Sequence, residues 1–229
     1  MDRLDISHNE LELGGLPLSL LAERVGQTPF YAYDRSLIAA RIQAVRQVLP
    51  HNVHLHYALK ANPMPALVSF VRPLVDGMDV ASAGELKLAL DAGADPQSIG
   101  FAGPGKRDAE LRQAVAAGVL LHVESERELR VLAEAAQLVG RAARVALRIN
   151  PDFELRGAGM HMGGGAKPFG IDAEQVPALL RGMVRDGLVF EGLHIYPGSQ
   201  NLRGHVIAES LRRSFDLALR LACDAPAPV

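Results

Sequence analysis

The segment His56-Tyr57-Ala58-Leu59-Lys60-Ala61-Asn62-Pro63 decides the fold of this chain. Apolar and polar residues alternate from residue 53 onward, as in a strand with one buried face, and Asn62-Pro63 ends the element. Lys60 is therefore predicted at the carboxyl end of a buried strand. A partly desolvated lysine amine suits a nucleophile that attacks an aldehyde. The alternative is a lysine whose stem lies along the protein while its ammonium reaches solvent.

Strand-like and helical segments alternate after this point. Apolar strands are predicted at residues 53–60, 75–81, 98–102, 119–123, 143–149 and 188–195. Helices are predicted to follow them at residues 64–72, 83–92, 108–117, 126–139, 172–186 and 205–222. Ser125 and Glu128 have the spacing of a capping box at the start of the fourth helix. This alternation predicts a parallel sheet covered by helices.

The six strand–helix units favour an α/β fold of the TIM type, an incomplete (β/α)8 barrel. A full barrel needs eight units and typically about 250 residues. An open, doubly wound sheet ranks second, because the first strand–helix turn carries no dinucleotide fingerprint. Residues 1–50 are interpreted as a lead-in segment, with helices at 16–25 and 35–49 and a strand-like run at 28–33. Residues 51–229 are interpreted as the barrel.

Composition excludes several classes of function. The 229 residues carry a formal net charge of −2, which gives no electrostatic basis for binding nucleic acid or an anionic membrane. No apolar run approaches about 20 residues, so no membrane span is expected. Residues 1–12 lack the basic and apolar regions of a signal peptide. The single cysteine, Cys223, favours a reducing, cytoplasmic location and is expected to be a buried helical residue.

Polar residues recur at the predicted carboxyl ends of the strands, where barrel enzymes place their functional groups. They are Lys60, Asp79, His122 or Glu124, Arg148 with Asn150, and His194 with Tyr196. For any one of them the alternative is an ordinary strand-end polar group with its hydrogen bonds satisfied. The segment Gly198-Ser199-Gln200-Asn201 follows the sixth strand and precedes a helix. Small residues there let backbone N–H groups and the Ser199 hydroxyl approach an anion.

Two other patterns carry less weight. Residues 100–107 nearly match a phosphate-binding loop, but Arg107 replaces the hydroxyl residue and Pro104 removes a backbone N–H. His51, His54 and His56 could suggest a metal site, but no carboxylate or cysteine completes the ligand set. Neither a nucleotide site nor a metal site is therefore expected.

The motifs together resemble the fold-type III pyridoxal-phosphate (PLP) decarboxylases, the diaminopimelate and ornithine decarboxylase family. They also resemble the bacterial branch found beside exosortase and exopolysaccharide genes. The matching stretches follow the family order and cover nearly the whole chain: Tyr57 to Asn62, Asp79 to Glu85, Gly103 to Lys106, Leu147 to Pro151, Phe169 to Ile171 and Gly192 to Gln200.

The resemblance implies a role for each matched residue. Lys60 is implied to be the Schiff-base lysine, with Asp79 near it and Glu85 behind Asp79. Arg148 would support the ring-binding floor, to which His194 and Tyr196 belong. The remaining cofactor residues, Gly198 and Ser199, would hold the phosphate.

The implied activity is PLP-dependent α-decarboxylation of an amino acid, either a basic one or one like diaminopimelate. The full-length protein is implied to be a homodimer. Two alternatives stay open: a PLP-dependent racemase, which shares the barrel and the lysine, and a decarboxylase homologue without catalytic activity.

The chain departs from the family in two respects. Tyr196 stands where the family usually has a histidine that stacks on the cofactor ring. An aromatic ring can still stack there, but it cannot donate a proton as an imidazole does. The family's later glycine-rich strand, its Glu-Pro-Gly-Arg segment and its C-terminal β-domain are missing. We therefore interpret the chain as the amino-terminal part of such an enzyme and expect no turnover from residues 1–229 alone.

Overall fold

A small antiparallel sheet and two helices come first. The structure, a computed structural model, describes residues 6–7, 9–154, 160–161, 165, 167–183 and 187–228. The first elements are β1 (Ile6–Ser7), β2 (Glu10–Leu13), β3 (Leu16–Pro17), α1 (Leu18–Val25) and α2 (Arg35–Val48). The three strands pair in the order β1-β2-β3.

Strands and helices alternate from residue 56 onward, as the sequence predicted. In chain order the elements are β4 (His56–Ala58), α3 (Pro65–Val71), β5 (Gly77–Val80), α4 (Ala83–Asp91), β6 (Ile99–Phe101), α5 (Asp108–Ala117), β7 (Leu120–Val123), α6 (Glu126–Val139), β8 (Ala143–Asn150), β9 (Met160–His161), β10 (Ile171–Asp172), α7 (Val176–Arg181), β11 (Leu188–Ile195), β12 (Gly198–Ser199) and α8 (Gly204–Ala222).

The main sheet is parallel throughout. Six strands pair in the order β4-β5-β6-β7-β8-β11, and β10 pairs with the last two residues of β8. The strand order follows the chain order without the reversal that defines a doubly wound sheet. The prediction of an incomplete TIM-type barrel with six strand–helix units is thus confirmed, and the doubly wound alternative is wrong.

The two faces of this sheet differ in chemistry. One face contributes Met78, Ile99, Phe101, Leu121 and Leu147 to the core, which the helices complete. Because side chains alternate along a strand, the residues between these point to the opposite face. That face, which we call the polar face, carries Asp79, Gly100, His122, Arg148 and His194.

Several local predictions are wrong. Residues 28–33 form no strand, since no described strand lies beside them to pair with. The helix predicted over 172–186 spans only Val176–Arg181, and residues 184–186 lie outside the described chain. Cys223 is exposed and is the C-cap residue just after α8 rather than a buried residue within it. Within the described residues, no helix is both long and apolar enough to span a bilayer.

Candidate active site

The predicted functional residues lie at or near the carboxyl ends of β4 to β8 and β11. Because the strands are parallel, these ends all lie at the same end of the sheet. Parallel pairing aligns Ala58 with Asp79, and His194 with Arg148. Glycine and alanine occupy several polar-face positions between these residues. These small residues make room for larger neighbours, since a Cβ at Gly77 would lie 2.5 Å from the His56 ring.

Lys60 lies one turn beyond β4, in the short 3-10 helix Leu59–Ala61, rather than in the strand itself. Leu59 is fully buried and anchors this turn. The Tyr57 hydroxyl donates to the Asn62 carbonyl at 3.0 Å, which fixes the exit of the turn. Lys60 itself is exposed, with its Nζ 5.9 Å from the centroid of the Tyr196 ring. No carboxylate of the described residues pairs with it, so its amine is accessible to an aldehyde.

Lys106 is the opposite case. Its ammonium is buried and lies 2.5 Å from the Gly103 carbonyl, 2.9 Å from the His122 carbonyl and 3.2 Å from Glu128 Oε1. These three acceptors use all three of its hydrogens. Burial lowers the pKa of Lys106, and Glu128 opposes that shift. Lys106 therefore holds its loop together from inside and offers no free amine to a phosphate or an aldehyde.

Asp79 is held by a histidine that the sequence analysis considered only as a metal ligand. His56 Nδ1 lies 3.1 Å from Asp79 Oδ1, and this contact raises the pKa of His56. Gly100 makes room beside the pair: a Cβ there would lie 3.1 Å from Asp79 Oδ1 and 2.6 Å from His122 Nε2. Among the residues described, no three or more His, Cys, Asp and Glu side chains group as they would around a metal ion.

His122 and His194 meet edge to face, with ring centroids 4.4 Å apart. Burial lowers the pKa of His122 to about 4. Burial also lowers the pKa of His194 to about 2, and the adjacent His122 adds to the shift. Both rings are therefore neutral near pH 7. The Nδ1 atom of each ring is buried without a hydrogen-bond partner among the described residues.

Acid is expected to destabilise the fold through these histidines. The pKa of His122 falls from the ordinary 6.5 to about 4 on folding, so at acid pH the unfolded chain binds a proton that the folded chain does not. This contribution to stability is complete above the unfolded pKa and is lost as the pH falls through the folded one. Between about pH 7 and about pH 4.5, His122 alone should account for roughly 2–3 kcal/mol of the free energy of unfolding.

Urea unfolding of His122→Asn at the two pH values measures this loss. The variant should lose roughly 2–3 kcal/mol less than the wild type on acidification. The control is His205→Asn, at an exposed position on α8, which should lose as much as the wild type. Equal acid losses in His122→Asn and the wild type would contradict the assignment.

Arg148 and Glu85 are both fixed by neighbouring groups. Arg148 is buried; its Nη1 donates to Glu124 Oε1 at 2.7 Å, and its guanidinium lies 4.9 Å from the centroid of the Phe169 ring. Glu85 lies in the first turn of α4, and its Oε2 accepts from the Ala81 N–H at 2.7 Å. Glu85 therefore fixes the loop after β5 through Ala81, which lies two residues after Asp79.

Gly198 and Ser199 form β12, which pairs antiparallel with β9. Gly198 has φ +153°, a conformation that favours glycine. Both residues border a cavity of about 460 Å³ between β11 and α8, which Tyr196 also lines. The phosphate-binding role of this segment stays a prediction.

The structure thus brings most of the predicted residues to one edge of the sheet. Lys60 Nζ lies 5.9 Å from the centroid of the Tyr196 ring, and Arg148 pairs with His194 in the sheet register. Sequence reasoning missed the His56–Asp79 pair and the buried Lys106–Glu128 pair. Ser125 caps α6 as predicted, since its Oγ accepts from the Glu128 N–H at 3.3 Å. The reciprocal bond of a capping box is replaced, because Glu128 Oε2 accepts from the Glu124 N–H.

These residues fit PLP. An accessible amine suits its aldehyde, and an aromatic ring beside that amine suits a planar pyridine. The buried atoms without partners, which are His122 Nδ1, His194 Nδ1 and Asn150 Oδ1, are polar groups that a ligand with hydrogen-bonding substituents can satisfy. The site roles of the individual residues nevertheless stay predictions.

Comparison with known proteins agrees with this fit. The diaminopimelate decarboxylase of Aquifex aeolicus is 38% identical over 202 residues, which cover 87% of this chain and 48% of that protein. The L-glutamyl-[BtrI acyl-carrier protein] decarboxylase of Niallia circulans is 38% identical over 193 residues, which cover 83% of this chain and 45% of that protein. The chain therefore spans about half the length of the curated relatives it matches.

A solved structure supports the same relationship. The crystal structure of the Helicobacter pylori diaminopimelate decarboxylase complexed with L-lysine superposes with a TM-score of 0.81 at 30% identity. The match covers 89% of this chain and 52% of that chain. A family model described as "Pyridoxal-dependent decarboxylase, pyridoxal binding domain" matches residues 35–224. With the strand-end lysine, the parallel sheet and the family model in agreement, the chain belongs to the pyridoxal-dependent decarboxylases, through their pyridoxal-binding domain.

Proposed function

We propose that this chain binds PLP covalently through Lys60 and provides the cofactor site for α-decarboxylation of an amino acid, either a basic one or one like diaminopimelate. The observation that carries the proposal is the accessible Lys60 amine at a strand end beside Tyr196, in a chain of the pyridoxal-binding family. Two other lysines are poorer candidates for binding the aldehyde. The hydrogens of Lys106 are all used in hydrogen bonds, and Lys87 pairs with Asp91 on the surface.

Bound PLP supplies an electron sink for the α-carbon of an amino acid. Lys60 would hold the cofactor at the strand ends through its aldehyde carbon. The Tyr196 ring limits the space beside the amine. His56 orients the Asp79 carboxylate, and neutral His122 and His194 add no positive charge to the polar face.

An assay of carbon dioxide release tests the proposal. Because the relatives are about twice as long, the assay uses the longest natural reading frame that contains this chain. Diaminopimelate, lysine, ornithine and arginine are supplied with PLP, and the chirality of the recovered amino acid is measured in parallel. Release that depends on PLP and is lost in Lys60→Ala supports the proposal. Racemisation without release of carbon dioxide contradicts it, as does the absence of both reactions.

Ser199→Ala is expected to weaken PLP binding. We assign the Ser199 hydroxyl to the phosphate, since its strand ends at a loop that leads into α8. Loss of one hydrogen bond to a charged group costs roughly 1.5–3 kcal/mol, which is about tenfold to hundredfold in affinity. Fluorescence titration with PLP measures the change.

The control for this prediction is Ser98→Ala. The Ser98 hydroxyl donates to the Asp95 carbonyl just before β6, at the opposite edge of the sheet. Its loss should leave the PLP affinity within twofold. An unchanged affinity in Ser199→Ala would place the phosphate elsewhere.

Three further assignments belong to the same proposal. We propose that the protein acts as a homodimer in the cytoplasm, in keeping with its family resemblance and its single cysteine. We also propose that residues 51–229 form the cofactor-binding barrel and residues 1–50 a lead-in segment.

A further inference from the structure

The Glu124 carboxylate joins three separate segments at the edge of the sheet where Lys60 lies. Its Oε1 accepts from the Gly103 N–H at 2.6 Å and from Arg148 Nη1 at 2.7 Å. Its Oε2 accepts from the Gly170 N–H at 3.0 Å. Gly103 belongs to the loop after β6, Arg148 to the end of β8, and Gly170 to the loop before β10. One side chain thus links all three.

Glu124 is itself held tightly. It follows the last residue of β7 and is 7% exposed, and its own N–H donates to Glu128 Oε2 at 2.8 Å. A buried carboxylate without a cation is strongly unfavourable, and Arg148 supplies that cation. The carboxylate oxygens are therefore directed at their three donors rather than at solvent.

The segment at Phe169 and Gly170 has little freedom to adopt another position. Gly170 has φ +76°, and a Cβ there would lie 2.8 Å from the Asn150 backbone nitrogen. The loop is thus in direct contact with the backbone of β8. Phe169 places its ring 4.9 Å from the Arg148 guanidinium. Glu124 and Phe169 together fix the guanidinium, one through a hydrogen bond and the other through its ring.

We propose that Glu124 is a positioning residue of the candidate active site, which holds the Arg148 guanidinium and the loops at Gly103 and Gly170 in the arrangement that receives the cofactor. The identity of the cofactor that the site receives rests on the proposed function, whereas the contacts of Glu124 do not. The residue acts through Arg148 and the two loops, not by touching the reacting atoms.

A second carboxylate provides a matched control. Glu110, in the first turn of α5, accepts from the Ala83 N–H at 3.0 Å, from the Arg107 N–H at 3.1 Å and from Arg107 Nε at 3.0 Å. It therefore also joins two backbone N–H groups and one arginine, and it too is buried. None of its partners is among the residues assigned to the cofactor.

The experiment compares Glu124→Gln with Glu110→Gln in two measurements. Amide hydrogen exchange is measured by NMR on the protein without PLP, and PLP affinity is then measured by titration. Glu124→Gln should speed exchange at Gly103 and Gly170 about tenfold and weaken PLP binding about tenfold or more. Glu110→Gln should speed exchange at Ala83 and Arg107 instead and keep the PLP affinity within twofold.

The conservative pair Glu124→Asp and Glu110→Asp covers the case in which a glutamine variant does not fold. Aspartate keeps the charge but is one methylene too short to reach all three donors, so the same contrast is expected. Unchanged exchange at Gly103 and Gly170 overturns the proposal. Faster exchange with an unchanged PLP affinity also overturns it, because Glu124 would then be structural only. Failure of the wild type to bind PLP contradicts the proposed function instead, and the exchange rates alone then decide whether Glu124 holds the loops.

Discussion

Lys106→Met should lower the free energy of unfolding by about 3–5 kcal/mol, since it removes one partner of a buried ion pair. The side chains of Lys106 and Glu128 are 1% and 4% exposed, so water cannot replace the lost ammonium. The Gly103 and His122 carbonyls lose their donor in the same substitution. Domains of this kind unfold at a total cost of about 5–15 kcal/mol, so the variant should be marginally stable.

Urea unfolding measures the effect, and two further variants separate its causes. Lys87→Met removes an ammonium that is 71% exposed and pairs with Asp91 within α4, so it should change stability by less than about 1 kcal/mol. Burial raises the pKa of Glu128, and Lys106 opposes that shift. The double variant Lys106→Met/Glu128→Met should therefore recover much of the loss, because no buried charge is left unpaired. A single variant within 1 kcal/mol of the wild type would show that the pair is not needed for stability.

Lys60→Ala should abolish the visible absorption that the wild type gains when PLP is added. The expected change is complete, since the chain has only four lysines: Lys60, Lys87, Lys106 and Lys167. Of these, Lys60 has an exposed amine beside Tyr196 at the strand ends. Without that amine, PLP can bind only through noncovalent contacts.

The matched control for this prediction is Lys87→Ala, which removes an exposed lysine of α4 that pairs with Asp91. It should retain the full absorption change. Lys60→Arg keeps a positive charge but cannot form the adduct, so it should behave like Lys60→Ala. An absorption change that survives in both Lys60 variants would contradict the assignment.

The sequence predicts most of the barrel because its signals there are local. Helices α5 and α6 and strand β11 have the predicted bounds, since each is a periodic or continuous apolar segment with a clear cap or stop. Strands β1 to β3 are two to four residues long, which is too short for a periodic pattern. The run at residues 28–33 has the right residue types for a strand, but β propensity describes the fit to a neighbouring strand, which the described chain does not provide there.

The residues of the candidate site also divide into those whose positions the sequence predicts and those whose contacts it does not. The positions of Lys60, Asp79 and His194 near the carboxyl ends of their strands could be predicted, because strand ends and motifs are visible in one stretch of sequence. The contacts of Glu124 could not, since its donors lie 21, 24 and 46 residues away along the chain. The pairing of His56 with Asp79 depends on the register of β4 against β5, which periodicity does not determine.

Borohydride reduction of the protein with PLP, followed by peptide mass spectrometry, tests the central claim most directly. Reduction makes the lysine adduct permanent, so the modified residue can be identified among only four lysines. We predict that the phosphopyridoxyl group is found on Lys60, at one group per chain. A stoichiometric modification of Lys87, Lys106 or Lys167 with Lys60 unmodified would contradict the account.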